Sequence, residues 1–516
     1  MPLAPFRNEP TLDFSVPSHR QGFEQALAAV RGQLGRDYPL VIGGERVETP
    51  ERIESYNPAH PEQVIGRHAA GRKEDVERAV AAGWEAFPVW SRTPVEERVN
   101  LLLRAAQVVR QRRGELAALM VYEVGKAWAE ADGEVAEVVD LMEWYARQAL
   151  ELGQRDRMAP WPGELTEFRY LALGVGAVIS PWNFPLALAT GMMTAAVVAG
   201  NCVILKPAET SSTTAAWLVE IFFELGLPPG VINLLTGRGS VIGEALVDHP
   251  KIRFVAFTGS REVGVRIHER ASKVHPGQLW LKRVQLEMGG KNAVVVDETA
   301  DLDWAAEAIT ASAFGFQGQK CSAGSRAVLV DGVYDEVVGR VLEQAKHLRM
   351  GDPIDPEVTV GPVIDGAAEE KILDYLQIGR GEGELLLGGG HGPGDGHFIE
   401  PTIFAGVAPE ARIAQEEIFG PVLAVIRAKD AEHGLAIANG TDYGLSGSYF
   451  SRDPGRIARA KASLHVGNLY INRRSTGAYM GVHPFGGFNM SGTDTKAGGP
   501  DYLFFFVQGQ SVAERI

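Results

Sequence analysis

The sequence contains few cysteines. Only two, Cys202 and Cys321, occur among its 516 residues. This number excludes a disulfide framework and any zinc or iron–sulfur centre built from several cysteines of one chain. One disulfide or two free thiols in a reducing compartment remain possible. The opening MPLAPFRNEP has no apolar secretory segment, and we therefore predict a cytoplasmic protein.

Positive charge is also scarce. The chain has 50 Lys and Arg against 65 Asp and Glu, which gives a net charge of −15. A net-acidic chain binds nucleic acid and anionic membranes poorly, so neither is expected as a partner. The hydrophobic share of 45% and the charged share of 22% are typical of soluble globular proteins. A length of 516 residues indicates several domains, since a domain has about 100–200 residues.

The sequence has no uninterrupted helix that could span a membrane. Residues 171–205 lack charged side chains and are long enough to cross a bilayer. Two prolines, Pro181 and Pro185, interrupt the run and break helical hydrogen bonding. We therefore predict a buried strand over 171–180, a loop, a helix over 186–199 and a second strand over 202–205.

An alternation of strands and helices predicts an α/β fold with doubly wound sheets. Patterns with helical spacing come first, and strand-like runs then alternate with helices in two successive sets. The predicted helices before residue 171 cover 75–90, 96–123 and 135–150, and the two sets cover 202–296 and 327–450. Residues 502–512 predict an exposed apolar strand. Such an edge needs a cover, so we expect a homo-oligomer.

Two residues are candidates for chemistry. Cys321 lies among polar residues and glycines, flanked by Lys320 and Arg326. Because nearby cations lower the pKa of a thiol, Cys321 is either a reactive nucleophile or a small core residue. Cys202 lies in an apolar strand and is interpreted as a core thiol. Glu287 ends an apolar stretch and is either a general base at a strand end or a surface carboxylate.

Glycine-rich turns and one charged pair suggest nucleotide binding. The segments 237–243 and 257–264 each follow a predicted strand, and such turns direct backbone N–H groups at phosphate. Neither has the G-x-G-x-x-G spacing, so each is a weak signal alone. Lys206 and Glu209 follow another strand, where they could hold ribose hydroxyls. An acid at this place would repel a 2′-phosphate.

The glycine-rich segment 388–397 contains His391 and His397. A metal site is conceivable, but the Gly, Pro and Asp residues around them favour a hairpin turn. No cluster of cysteines or carboxylates is adjacent in sequence. We predict a turn and no metal.

The order and spacing of several motifs resemble the NAD(P)-dependent aldehyde dehydrogenase superfamily over essentially the whole chain. The motifs are Ile42-Gly-Gly-Glu45, Asn57-Pro58, Pro181-Trp-Asn-Phe-Pro185, Lys206-Pro-Ala-Glu209, Phe257-Thr-Gly-Ser260, Leu286-Glu-Met-Gly-Gly290, Gly318-Gln-Lys-Cys321, Glu416-Glu-Ile-Phe-Gly-Pro-Val422 and Pro484-Phe-Gly-Gly487. The chain looks most similar to members that oxidise L-glutamate γ-semialdehyde. The marks are residues 5–10, 315–323 and 475–478.

This resemblance implies an aldehyde-dehydrogenase-like α/β fold with two Rossmann-like doubly wound lobes and a small β oligomerisation arm. It implies an N-terminal helical region and NAD-binding domain over 1–155 and 171–287, and a catalytic domain over 288–480. The arm would comprise residues 156–170 and 495–516. A dimer, with a hexamer as a larger form, would be the assembly.

The resemblance also implies residue roles. Cys321 would attack the aldehyde to give a thiohemiacetal and then a thioester, Asn183 and the Cys321 N–H would hold the oxyanion, and Glu287 would activate water. The cofactor NAD would contact Ser180, Pro181, Trp182, Lys206, Ala208, Glu209, Gly239, Gly243, Phe257, Gly259, Ser260, Val263, Gly289, Glu417 and Phe419. The substrate would contact Phe184, Ser322, Gly477, Ala478 and Phe485.

The substrate assignment has alternatives. Another semialdehyde such as succinate semialdehyde would suit the same chemistry. A cysteine hydrolase that works without NAD, or a catalytically silent relative, is disfavoured by the joint presence of Cys321, Glu287 and the predicted cofactor set. Phe316 stands where many general aldehyde dehydrogenases have Asn, and we interpret it as a clue to the substrate.

Overall fold

The fold is that of a computed structural model, which describes residues 3–152, 158–493 and 495–516. The strands are β1 Arg36–Tyr38, β2 Leu40–Ile42, β3 Glu45–Val47, β4 Arg52–Asn57, β5 His60–Ala69, β6 Glu164–Ala172, β7 Val175–Ile179, β8 Cys202–Lys206, β9 Ile232–Leu234, β10 Phe254–Thr258, β11 Arg283–Glu287, β12 Ala293–Val296, β13 Arg326–Val330, β14 Glu384–Leu387, β15 Thr402–Ala405, β16 Val422–Ala428, β17 Tyr443–Gly444, β18 Ser446–Phe450, β19 Asn468–Ile471, β20 Phe488–Asn489 and β21 Val507–Arg515.

Helices alternate with these strands along the chain and pack against the large sheets. They are α1 Pro17–Arg31, α2 Lys73–Trp90, α3 Val95–Gln111, α4 Arg113–Val124, α5 Trp128–Leu152, α6 Ala187–Val198, α7 Ser212–Glu224, α8 Glu244–Asp248, α9 Arg261–Ser272, α10 Leu302–Phe314, α11 Tyr334–Lys346, α12 Gly366–Glu382, α13 Arg412–Gln415, α14 Ala431–Asn439 and α15 Pro454–Ser463. Among the described residues, no helix combines the length and apolar character needed to cross a membrane.

Two seven-stranded sheets form the centre of the molecule. The first has the order β11-β10-β7-β8-β9-β2-β3, and the second has the order β14-β15-β16-β13-β12-β18-β19. The pairs from β11 to β9 are parallel, and so are those from β15 to β19. Each sheet has its own apolar core. This arrangement agrees with two doubly wound lobes, because buried parallel strands carry continuous apolar runs.

The order in which the chain adds strands to the first sheet creates a crevice at one edge of that sheet. From β7 the chain builds outwards through β8 and β9, and it then crosses back to add β10 and β11 on the other side. The strand order therefore reverses between β7 and β10. In open α/β sheets, ligands bind at such a switch point, outside the carboxyl ends of the strands.

A small sheet joins distant parts of the chain. Strands β6 and β21 pair antiparallel from Val507 opposite Ala172 to Arg515 opposite Glu164. Both strands expose much of their surface, and Trp161 beside them is 67% exposed. The predicted arm occupies this region, but β6 extends past residue 170. The predicted boundary at 155/156 lies outside the described residues, and the domain limits remain predictions.

Three elements differ from the sequence-based expectation. The strand predicted over 171–180 is divided between β6 and β7. Gly174, with φ of 138°, stands at the division, and the Asn201 side chain accepts hydrogen bonds from the Leu173 and Gly174 N–H groups at 2.7 and 2.9 Å. These hydrogen bonds satisfy the two backbone N–H groups that pair with no strand at this point. The chain can therefore pass from the small sheet of β6 to the large sheet of β7.

The predicted helix over 96–123 is two helices. The chain breaks at Arg112, with φ of −98° and ψ of 16°. This turn lets α4 pack on α1 and α5. The exposed strand predicted over 502–512 is also wrong in its first half. Residues 502–506 form a short helical turn whose Tyr502, Leu503 and Phe506 are buried, because burial of these large apolar side chains outweighs strand pairing.

Candidate active site

The carboxyl ends of four neighbouring strands form one edge of the first sheet. After β7, the Ser180 N–H donates to the Lys206 carbonyl at the end of β8 over 3.1 Å. After β10, the Gly259 N–H donates to the Glu287 carbonyl at the end of β11 over 3.0 Å. The structure therefore brings predicted cofactor residues from separate motifs to the reversal crevice, with Glu287 at its far side.

A carboxylate and an ammonium group lie at the end of β8. Glu209 Oε1 accepts a hydrogen bond from the Gly239 N–H at 3.1 Å. Lys206 Nζ donates to the Pro207 carbonyl at 2.9 Å. Burial lowers the pKa of Lys206 to about 8, although the Glu209 charge opposes the shift. An ammonium group and a carboxylate at the carboxyl end of a strand can hydrogen-bond the two hydroxyl groups of a ribose.

The glycine turn after β9 is spacious. A Cβ atom at Gly239 or Gly243 would meet nothing within 4 Å. Across the crevice, Ser260 begins α9 as its N-cap, and its Oγ accepts the Val263 N–H at 3.3 Å. Open space bounded by the first turn of a helix is a setting in which backbone N–H groups bind phosphate.

Glu417 is a buried carboxylate beside the double glycine. Its Oε1 accepts the Gly290 N–H at 3.1 Å, and a Cβ atom at Gly289 would lie 2.0 Å from Oε2. Burial raises the pKa of Glu417, while the Gly290 N–H and the charges of Lys371 and Lys291 oppose the shift. Only glycine at 289 permits this approach of backbone and carboxylate.

Two aromatic rings stand near this carboxylate. Phe419 has a φ of 62°, and its ring meets Trp182 edge to face, with centroids 5.5 Å apart. Residue 419 thus adopts the left-handed conformation that a bulky side chain seldom takes, which is a conformation found at functional sites. The two rings join the loop after β7 to the loop before β16.

The loop between α10 and β13 carries Cys321 and is fixed by one side chain. Asn292 Nδ2 donates to the carbonyls of Cys321 and Ala323, each at 2.8 Å. Asn292 Oδ1 accepts the Ser446 N–H at 2.9 Å. Cys321 therefore lies at the amino ends of β12, β13 and β18. Sequence reasoning missed Asn292, although a polar residue directly before the apolar strand Ala293–Val296 was a usable signal.

The electrostatic prediction for Cys321 is wrong. Burial raises its pKa to about 12, and the negative charges of Glu287 and Glu417 add to the shift. The flanking cations do not reverse this effect, because they are bound elsewhere. Lys320 Nζ contacts both oxygens of Glu130 at 2.7 Å, and the buried Arg326 donates to the carbonyls of Lys291, Ile437 and Ala438. The effect of the Glu287 and Glu417 charges on the Cys321 pKa indicates that both carboxylates lie near the thiol.

Asn183 and Glu287 approach this loop from the first sheet. The buried Asn183 Nδ2 donates to the Gln319 carbonyl at 3.0 Å, two residues before Cys321. Glu287 is 7% exposed, and a Cβ atom at Gly486 would lie 3.0 Å from its Oε1. An amide donor, a thiol and a carboxylate from three chain segments therefore converge, as acyl chemistry on a cysteine requires.

The predicted substrate residues lie in two places around Cys321. Ser475 Oγ donates to the Ser322 carbonyl at 3.0 Å, which joins the segment 475–478 to the nucleophile loop. Gly477 in that segment has a φ of 74°. On the other side, the Phe184 and Phe316 rings meet edge to face at 6.2 Å. Phe485 directly precedes Gly486 and forms a bridge with Ala497.

The residues at the crevice fit a dinucleotide. Ser180 Oγ is buried and has no hydrogen-bond partner among the residues the structure describes, so it is available to a ligand. The open turn at Gly239 leaves space for a phosphate group beside the strand ends, and at Gly289 the bare backbone lies against the Glu417 carboxylate. The remaining predicted contacts, Pro181, Ala208 and Phe257, lie in the same loops and strand ends.

The two histidines of the glycine-rich segment contact a carboxylate that sequence reasoning missed. The segment connects the antiparallel strands β14 and β15. His391 Nδ1 and His397 Nδ1 lie 2.9 and 2.7 Å from the two oxygens of Glu369 on α12. Within the described ranges, no cluster of three or more His, Cys, Asp or Glu could hold a metal ion.

Known proteins are similar to this chain in sequence and architecture. The model of the aldehyde dehydrogenase family matches residues 46–512. A 1-pyrroline-5-carboxylate dehydrogenase of Geobacillus sp. (strain WCH70) is 54% identical over 512 residues, which cover 99% of each chain. The crystal structure of the 1-pyrroline-5-carboxylate dehydrogenase from Thermus with bound NAD has a TM-score of 0.99 at 51% identity, with full coverage of both chains.

A larger protein contains the same architecture. Proline utilization A from Bdellovibrio bacteriovorus has a TM-score of 0.98 at 45% identity, and the match covers 100% of this chain and 54% of that one. The comparisons confirm the predicted fold class and the enzyme class. The chain belongs to the aldehyde dehydrogenase family.

Proposed function

We propose that the chain oxidises L-glutamate γ-semialdehyde, the open form of 1-pyrroline-5-carboxylate, to L-glutamate with NAD. The observation that carries the proposal is the hydrogen bond from Ser475 to the Ser322 carbonyl. It attaches the segment predicted to bind an α-carboxylate directly to the nucleophile loop. The Geobacillus and Thermus relatives, both 1-pyrroline-5-carboxylate dehydrogenases, support the assignment.

The first covalent step forms a bond between Cys321 sulfur and the aldehyde carbon, and the carbonyl π electrons move to oxygen. Asn183 Nδ2 and the Cys321 N–H donate to that oxyanion. Donors placed in advance at such an oxygen lower the barrier by about 3–4 kcal/mol each. Because burial raises the pKa of Cys321, the resting group is a thiol, and it gives up its proton to solvent water as the site fills.

NAD supplies the acceptor for the hydride that leaves the substrate carbon. Lys206, Glu209, Ser260 and Glu417 would hold it along the crevice. Glu287 then removes a proton from water, and the resulting hydroxide attacks the thioester carbon. The carbon–sulfur bond breaks and L-glutamate leaves, and the Cys321 thiolate takes up the proton that Glu287 removed from water, which restores the thiol.

The substrate carboxylate needs donors in a protein of net charge −15. We assign the backbone N–H groups of Gly477 and Ala478 and the Ser322 hydroxyl to it. A concave set of backbone N–H groups binds an anion without a buried arginine. Phe184 and Phe485 would enclose the aliphatic chain between this set and Cys321.

The first experiment measures NADH formation with 1-pyrroline-5-carboxylate, succinate semialdehyde and pentanal. The proposal expects the highest kcat/KM with 1-pyrroline-5-carboxylate. A higher kcat/KM with succinate semialdehyde would indicate that compound as the substrate. A higher kcat/KM with pentanal, which has no carboxylate, would contradict the proposed carboxylate site. Failure of NAD to raise the melting temperature would contradict NAD dependence altogether.

A pair of serine variants tests the carboxylate site. Ser322→Ala should raise KM for 1-pyrroline-5-carboxylate about tenfold, the effect of one hydrogen bond to a charged group, and leave KM for pentanal unchanged. Ser448→Ala is the matched control, because Ser448 Oγ is buried in β18 without a hydrogen-bond partner among the described residues. Equal effects of the two variants would contradict the role of Ser322.

We also propose a homo-oligomer in a reducing compartment such as the cytoplasm. The exposed apolar groups beside β6 and β21, with Trp161 67% and Leu165 57% exposed, support a contact with a second copy. Both cysteines are free thiols, and oxidation of Cys321 would stop the proposed reaction. Light scattering should give a mass of at least two chains, and a single-chain mass would contradict the assembly.

A further inference from the structure

A buried ammonium group lies behind two aromatic rings of the site. Lys126 follows α4, directly after Gly125 in the left-handed conformation. Its side chain is completely buried. Nζ lies 3.7 Å from the centroid of the Phe184 ring and 4.5 Å from that of Phe316. The face of an aromatic ring attracts a cation, and more strongly where water is excluded.

The two rings come from different halves of the molecule. Phe184 is in the loop after β7 of the first sheet, next to Asn183. Phe316 is in the loop before β13 of the second sheet, five residues before Cys321. Lys126 thus contacts one ring of the oxyanion loop and one ring of the nucleophile loop.

Glu134 balances the charge of Lys126 and fixes the first loop. Its Oε2 lies 2.5 Å from Lys126 Nζ. Its Oε1 accepts the N–H groups of Leu186 and Ala187, both at 2.9 Å. These N–H groups open α6, and a carboxylate is favourable at a helix N-terminus. One carboxylate therefore holds both the ammonium group and the chain directly after Phe184.

The second loop is held in an unfavourable backbone conformation at the same place. Phe316 and Gln317 have φ values of 49° and 55°, which only surrounding contacts can maintain. Gln317 Nε2 donates to the carbonyls of Gly125 and Pro362 at 3.1 and 2.8 Å. The turn at Gly125 and Lys126 therefore contacts residues 316 and 317 by a hydrogen bond and by the ammonium group.

We propose that Lys126, neutralised by Glu134, is a positioning residue that sets the distance and tilt between the Phe184 and Phe316 rings and so determines which aldehyde chains reach Cys321. The inference rests on the proposed function, in which Phe184 contacts the substrate chain. It also gives Phe316, the departure from many general aldehyde dehydrogenases, a physical purpose. Asn at that position would offer no ring to the ammonium group.

The main test is the double variant Lys126→Met with Glu134→Gln. It removes both charges of the pair together, so that neither Lys126 nor Glu134 is left as a buried charge without the other. Loss of a buried cation–π contact should raise KM for 1-pyrroline-5-carboxylate about tenfold. The preference for this substrate over hexanal should fall by a similar factor. kcat should change less than about threefold, because the amide oxygen introduced by Glu134→Gln can still accept the Leu186 and Ala187 N–H groups, and the Kd of NAD should not change, since the crevice is not altered.

The matched control is Arg113→Met with Asp132→Asn. This ion pair also joins α4 to α5, with Arg113 Nε 2.6 Å from Asp132 Oδ1. The control should lower the melting temperature without a change in KM or in selectivity. Equal shifts in KM from both double variants would overturn the proposal, because they would show a general effect of helix packing.

A double-mutant cycle covers the case in which the main variant does not fold. Phe316→Leu keeps the ion pair and removes one ring from Nζ, and it should also lower the preference over hexanal. Phe184→Leu likewise keeps the ion pair, and its effect on this preference should be smaller in a Phe316→Leu background than in the wild type, because both rings face the same ammonium group. Additive effects would overturn the proposal. Absence of wild-type activity with 1-pyrroline-5-carboxylate would instead contradict the proposed function.

Discussion

Substitution of Gly289 by alanine tests the contact between the backbone and Glu417. The new Cβ would lie 2.0 Å from Oε2 and 2.3 Å from the carboxyl carbon. No Cβ atom tolerates such a distance, so the carboxylate must move away. The movement breaks the hydrogen bond from the Gly290 N–H to Oε1, which measures 3.1 Å.

The expected magnitude follows from that bond. A hydrogen bond to a charged acceptor contributes about 1.5–3 kcal/mol. If Glu417 holds the cofactor as proposed, its displacement should raise the Kd of NAD about 10- to 100-fold. The effect should fall on cofactor binding, because Cys321 and Asn292 keep their contacts.

Isothermal titration with NAD measures the change. The matched control is Gly22→Ala on α1, where a Cβ atom meets nothing within 4 Å, and this variant should bind NAD as the wild type does. A melting temperature is recorded for each variant to show that it is folded. Wild-type affinity of folded Gly289→Ala would refute both the rigidity of this contact and the role of Glu417.

Further predictions concern charge. Glu287→Gln should accelerate alkylation of Cys321 by iodoacetamide at pH 8, because loss of a negative charge lowers the pKa of the thiol; an unchanged rate contradicts the electrostatic contact. The same variant should release NADH in a burst and then stall, and a wild-type steady rate would indicate another base. Glu209→Ala should improve NADP affinity at least about tenfold by removing a repelling charge, with Kd measured by titration; no gain contradicts its place near the ribose. Burial lowers the pKa of His68 to about 3, so urea unfolding should show that stability falls by about 1.4 kcal/mol between pH 7.5 and 5.5, and His68→Gln should lack this slope.

The sign of the His68 effect follows from its two pKa values. The unfolded histidine binds a proton near pH 6.5, whereas the folded one stays neutral down to about pH 3. The unfolded state therefore binds more protons as the pH falls through this window, and stability decreases. Its Nε2 contact with Thr213 Oγ1, at 3.0 Å, is one that neutral imidazole makes.

Most of the fold was predictable because its signals are local. The apolar run predicted as a strand over 202–205 is β8, and the helix predicted over 186–199 is α6 Ala187–Val198. The errors occurred where tertiary packing decides the structure. The division at Gly174 depends on the distant Asn201, and the turn at 502–506 depends on a core that sequence periodicity does not show.

The candidate site was predictable only in part. The motif resemblance identified Cys321, Glu287 and Asn183, and these roles remain predictions. The raised pKa of Cys321 was not predictable, because it depends first on burial and then on the charges of Glu287 and Glu417, which lie 34 and 96 positions away in sequence. Lys126 and Glu134 were missed for a related reason. A lysine after a glycine turn looks solvent-exposed in sequence, and only the fold shows that it is buried.

The pairing of β6 with β21 has a consequence for the order of events during synthesis. β6 ends at Ala172, but its partner begins at Val507. At about 5–20 residues per second, the ribosome needs some tens of seconds to supply the second strand. Throughout that interval the hydrogen-bonding edge of β6 has no partner from its own chain, and unpaired edges promote association between chains. Strand exchange is therefore favoured between neighbouring nascent chains on one polysome, where the unpaired β6 edges of several copies lie close together.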